Sequence, residues 1–164
     1  MLVNFESLAS TSKIWIYQSN REFSAQEVAE ISHDLENFIG KWKRHGEDLK
    51  ASYLIKYHQF IVIAVDENYN EVSGCSIDAS VNLMKQFEQR FAIDLTNKLN
   101  ISFKDNNNIN VVSIANFQHY AKQQKITSNT VVFNNMITNK ADFEQNWEVT
   151  ADKSWHKRFL SMNN

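Results

Sequence analysis

The chain has no proline and only three glycines (Gly40, Gly46, Gly74) in 164 residues, where average usage would give about 8 and about 11. Few positions are therefore left for backbone that must turn left-handed or lie close to a bound phosphate. Neither G-x-x-x-x-G-K-[ST] nor G-x-G-x-x-G occurs, which excludes Walker-type nucleotide hydrolysis and the dinucleotide fingerprint. Asparagine is abundant and tolerates the left-handed region, so tight turns are expected to fall to it.

Composition narrows the class further. With 43% hydrophobic and 12% aromatic residues, a chain of this length can build one core, and we expect a single α+β domain over 1–164. A net charge of −2 argues against a protein whose main task is to hold nucleic acid by its phosphates. No apolar run reaches the roughly 18–20 residues that span a bilayer. The start, MLVNFESLAS, has neither a basic region nor a long apolar stretch of the secretory kind. A single cysteine, Cys75, cannot form an internal disulfide and fits a reducing compartment. The expected location is the cytoplasm, away from membranes.

Periodicity gives the element order. KIWIYQ (13–18) reads as a strand. Ser24 and Glu27 form an S-x-x-E capping box, and Phe23 and Val28 take the hydrophobic-staple positions. Val28, Ile31, Leu35, Phe38, Ile39 and Trp42 then trace one helical stripe, with Gly46 as its stop. ASYLIKYHQFIVIAVD (51–66) reads as two strands reversing near Tyr57–Gln59, and FIVIAV, apolar on both faces, as a central strand. A second helix is expected from about Ser76, its apolar face formed by Ile77, Val81, Met84, Phe87 and Phe91, and a fourth strand over Leu99–Phe103. KDNNNIN (104–110) reads as a solvated loop. The order is that of a ferredoxin-like βαββαβ core over about 12–104, an antiparallel sheet with two helices on one face. A C-terminal α-β-α extension over about 111–160 follows: a helix over Ser113–Lys125, a strand over Thr130–Asn134 and short helices pinned by Trp147, Trp155 and Phe159.

In that topology the loops after the first helix and the third strand open at one end of the sheet. They carry Arg44, His45 and Gly46, and Ser73, Gly74, Cys75 and Ser76. We expect a binding site for a small anion or a protein partner there, because a helix start favours negative charge and activates a thiol. Read as chemistry, Cys75 is a nucleophile, His45 its base, and Asp78 or Asp66 an orienting carboxylate. Read without chemistry, which we favour, Ser76 caps the helix, Gly74 makes the turn and Cys75 is a small buried hydrophobe. C-x₅-R and G-x-S-x-G are both absent. The five histidines (His33, His45, His58, His119, His156) are dispersed and form no metal motif. Neither metal nor cofactor is expected. Lys41, Lys43 and Arg44, with Tyr17, Tyr53 and Tyr57, make a weaker case for an RNA face, because the RNP pattern is missing.

The blocks KIWIYQSNR (13–21), ASYLIKYHQFIVIAVDE (51–67), SGCSIDAS (73–80), VVFNN (131–135) and SWHKRF (154–159) resemble a family of short bacterial cytosolic proteins of uncharacterised function. Its members are often labelled "ABC transporter ATPase". The resemblance implies a bacterial cytosolic protein and assigns no functional residue; the missing Walker A loop and LSGGQ-like signature give that label no support. The functional expectation is a non-catalytic binding domain that self-associates, since the sheet face away from the helices needs cover. A thiol-dependent enzyme using Cys75 and His45 is the alternative, and RNA binding a weaker one.

Overall fold

Local signals in the first hundred residues become elements in the expected order in the computed structural model, which describes residues 1–160. These fall into two compact units, one of residues 1–96 with 138–141, the other of 97–137 with the residues from 142 on. In the first unit, β1 (Lys13–Gln18) leads to α1 (Ala25–Lys41), a short hairpin of β2 (Lys43–Arg44) and β3 (Glu47–Asp48), then β4 (Ala51–Lys56), β5 (Phe60–Val65) and α2 (Gly74–Phe91). The sheet order is β1-β5-β4, antiparallel throughout. All six residues of β5 are buried, as two apolar faces require of a central strand. Ile61, Ile63 and Val65 join Ile31, Leu35, Ile39, Met84 and Phe87 in one core cluster.

The start of α1 is built as its sequence reads. Ser24 Oγ accepts from the Glu27 amide at 3.1 Å, and Glu27 Oε1 accepts from the Ser24 amide at 2.8 Å. Arg21 grips both Glu27 oxygens at 2.8 Å and donates to the Phe91 carbonyl at 2.7 Å, tying the start of α1 to the end of α2. The Arg21 guanidinium and the Ser24 amide together lower the Glu27 carboxyl to about 2.

The second unit holds β6 (Asn100–Asp105), β7 (Asn108–Ser113), α3 (Ile114–Lys122), β8 (Val131–Phe133), most of α4 (Lys140–Asn146) and β9 (Glu148–Thr150). Its sheet runs β7-β6-β8-β9, antiparallel at each pairing. Ile101, Phe103, Phe117, Ala121, Ile126, Val132 and Ala151 form its core, with Trp155 and Phe159 packed against it.

The protein is α+β, with four α-helices and antiparallel sheets among the described residues. Two expectations are corrected. The fourth strand does not close the first sheet: β6 pairs with β7 and β8 instead. The outer edge of β1 is met by residues 138–139, with the Ile14 amide donating to the Thr138 carbonyl at 3.0 Å. The cause is local, since Asn106 (φ 50°) and Asn107 (φ 71°) take the two left-handed positions of a two-residue hairpin turn. That turn pairs β6 with its neighbour in sequence before any long-range partner can compete. The expected solvated loop at 104–110 is thus the tip of a hairpin. The face of β5 for which the sequence demands cover is closed within the chain: Phe60, Val62 and Ala64 are all 0% exposed.

Candidate functional site

Trp42 ends α1 as its C-cap, not Gly46. The chain then reverses through His45 (φ 50°) and Gly46 (φ 85°), with Arg44 opposite Glu47 and Lys43 opposite Asp48. Positive φ at both central residues defines the primed turn that suits a two-residue hairpin. A Cβ at Gly46 would meet nothing within 4 Å, so glycine is needed there for its backbone angle and not for space. KWKRH is therefore a helix end followed by a strand and a turn, not one basic helical face.

The hairpin is fastened to two other segments. The Trp42 indole donates from Nε1 to the Ser76 carbonyl at 2.9 Å, and Ser76 Oγ donates to the Lys43 carbonyl at 2.8 Å. Asn70 Nδ2 donates to Glu47 Oε2 at 3.2 Å and to the Asp48 carbonyl at 3.4 Å. Arg44 Nη1 lies 4.0 Å from Glu71 Oε2, and Arg44 Nε is buried with no hydrogen-bond partner. The β2–β3 hairpin, the loop over 67–72 and the first turn of α2 thus form one surface.

At the start of α2 the cap is Ser73, not Ser76: Ser73 Oγ accepts from the Ser76 amide at 3.2 Å. Ser73 Oγ and Ser76 Oγ lie 2.8 Å apart. With its own proton committed to Lys43, Ser76 Oγ is the acceptor in that pair. Gly74 opens the helix with open space around it. Cys75 is exposed, which overturns the expectation of a small buried hydrophobe. As the second helical residue it points outward, while Ser76 turns in.

The segments carrying the predicted site residues meet, but the catalytic arrangement is not assembled. His45 and Asp78 are exposed, and no hydrogen bond or ion pair joins Cys75, His45 and Asp78 among the described residues. Asp66 is occupied elsewhere, accepting from the Asn68 amide at 3.0 Å and facing Lys50 Nζ at 3.9 Å. Of the three tyrosines proposed for an RNA face, Tyr57 is 42% exposed and the other two are engaged within the chain. Tyr17 is buried with its hydroxyl bonded to Ser80, and the Tyr53 hydroxyl donates to Glu36 Oε1 at 2.8 Å. Burial, first of all causes, raises both of these phenols.

Three residues of this surface escape sequence reading, namely Tyr69, Asn70 and Glu71. Tyr69 is 58% exposed, one of the most exposed large apolar side chains among the described residues. The sequence signal was there, in a tyrosine within an otherwise polar loop; only the hairpin beside it makes the residue notable. Among the described residues no three His, Cys, Asp or Glu side chains gather as metal ligands, and no helix is long and apolar enough to cross a membrane. No protein family, curated protein or solved structure matches the chain.

Proposed function

We propose that the chain is a non-catalytic binding domain whose contact surface is the β2–β3 hairpin, the 67–72 loop and the start of α2. The observation that carries this is the exposure of Tyr69 in a loop whose next residues, Asn70 and Glu71, meet the hairpin that carries half-buried Arg44, on three segments joined by side-chain bonds. Tyrosine and arginine are residue types that anchor protein interfaces, tyrosine because it covers much area for little lost rotamer freedom and arginine because its planar fork presents several donors at once. The unpaired Arg44 Nε and the helix start nearby suit an anionic group of the partner. A bacterial cytosolic setting, implied by the resemblance of the sequence blocks, belongs to the same proposal.

A second copy of the chain is the first partner to test. Light scattering behind size-exclusion chromatography is expected to give twice the 19.1 kDa chain mass at tens of micromolar. Tyr69→Ala should return it to the monomer with an unchanged circular dichroism spectrum. A wild-type chain that stays monomeric across that range removes self-association from the proposal.

The exposure of Cys75 in the first turn of an 18-residue helix favours a second reading, a thiol-dependent enzyme. That reading requires His45 to reach the thiol, and the surface holds the two on separate segments with no bond between them. Cys75→Ala separates the two: binding survives it, whereas thiol chemistry does not.

A further inference from the structure

β4 is the outer strand of its sheet. Alternate residues of such a strand turn their N–H and C=O groups inward and outward. The Lys50 carbonyl accepts from the Asp66 amide at 2.9 Å and the Lys56 carbonyl from the Gln59 amide at 3.0 Å, which sets the phase. Ser52 and Leu54 therefore bond to β5, while Ala51, Tyr53 and Ile55 turn outward. The outward groups of Ala51 are taken: its amide donates to the Met1 carbonyl and its carbonyl accepts from the Val3 amide, both at 3.0 Å. The chain then leaves the edge for the 3-10 turn Phe5–Ser7. The outward groups of Tyr53 and Ile55 meet no partner among the described residues.

An open groove of about 680 Å³ lies along this free edge, with Val28 and Ser32 of α1 on one side and Phe5 and Glu6 on the other. The second wall is held from below. Lys140, 5% exposed, donates from Nζ to the Glu6 carbonyl at 3.1 Å and the Leu8 carbonyl at 2.8 Å.

We infer that this groove takes an extended peptide segment of a partner protein, added to β4 as an antiparallel strand. It is a separate surface from the hairpin and does not depend on it. Four free backbone groups at two-residue spacing call for a polypeptide backbone, and one strand satisfies all four through two of its residues. Met1–Val3 already occupies the adjoining stretch of the same edge as a strand partner, in the parallel sense. The walls choose the side chains. Residues opposite Tyr53 and Ile55 share their face, toward Val28, and are apolar. The residue between them shares the face of Leu54, on the side of Phe5 and Glu6. Glu6 is the one charged residue lining the groove among the described residues, so this position takes lysine or arginine. The motif is apolar–basic–apolar.

Amide chemical-shift mapping of the full chain with the synthetic heptapeptide Ser-Thr-Val-Lys-Val-Thr-Ser tests this. Saturable shifts and slowed hydrogen exchange are expected at Tyr53 and Ile55, with Tyr69 and Cys75 unmoved. N-methylating both valines of the peptide should abolish them. Glu6→Lys should weaken binding by about threefold to fivefold, as for a rim charge pair, and relieve the penalty when aspartate replaces the peptide lysine. Ser32→Trp, which fills the groove from the half-buried α1 wall that lines it, should block binding while the circular dichroism spectrum stays unchanged. Silence at Tyr53 and Ile55 up to millimolar peptide overturns the inference. So do shifts there that grow with protein concentration alone, which would give the edge to a second copy. Because the hairpin surface reports through Tyr69 and Cys75, its failure and this one are read at different amides.

Discussion

Protonating His156 would place a charge in a site lined by Phe117 and Trp155, where the ring is 1% exposed and its Nδ1 sits 2.7 Å from Ser154 Oγ. Burial first, and the Arg158 charge second, lower this imidazole to about 4 from its ordinary 6.5. The folded state therefore resists a proton that the unfolded chain accepts between those values. The contribution is fully present above about pH 6.5 and is lost as pH falls toward 4, by on the order of 3 kcal/mol in all. Urea unfolding at pH 7 and pH 4.5 should show the loss, and His156→Phe should remove most of that pH dependence. Equal pH dependence in both proteins would place the effect elsewhere. None of this could be read from SWHKRF, where two cationic side chains, Lys157 and Arg158, disguise a buried ring. At the same scale, the outward turn of Cys75 was hidden because cysteine composition favours burial, and only the register of α2 from Ser73 decides the matter.

Among the elements, the start and the buried stripe of α1 were legible because their signals agree, capping box, staple and stripe pointing to one helix, whereas its end falls at Trp42 and not at Gly46. Ser24→Ala removes the acceptor for the Glu27 amide and should cost about 1 kcal/mol, measured as a lower urea midpoint with an unchanged m-value. The strands β1, β4 and β5 were legible for a similar reason, their β-branched runs bounded by polar turns. The β2–β3 hairpin was not. Its strands are two residues each, too short for any periodicity, and Gly46 serves a helix stop as well as a turn. The Asn106–Asn107 turn was missed because an asparagine-rich stretch reads equally as a solvated loop or a primed turn. Its positive φ values distinguish the two.

On the scale of the whole molecule, the strand read as central, FIVIAV, lies between β1 and β4, since its two apolar faces suit that place. The fourth strand was misplaced because topology depends on competition between distant pairings, and the cost of closing a long loop is not written in any one segment. The candidate site was legible as two converging segments, 44–46 and 73–76, joined through Ser76 and Lys43. What they lacked in the sequence was the third segment with Tyr69. We propose that this surface binds and does not catalyse. The rate of iodoacetamide alkylation of Cys75 at about pH 6.5, native against urea-denatured, tests it most directly, because the thiolate is the reacting species. A native rate no faster than the denatured one is the predicted result. A native thiol reacting about tenfold faster or more, and slowed by His45→Ala, would contradict the claim and make Cys75 an activated nucleophile.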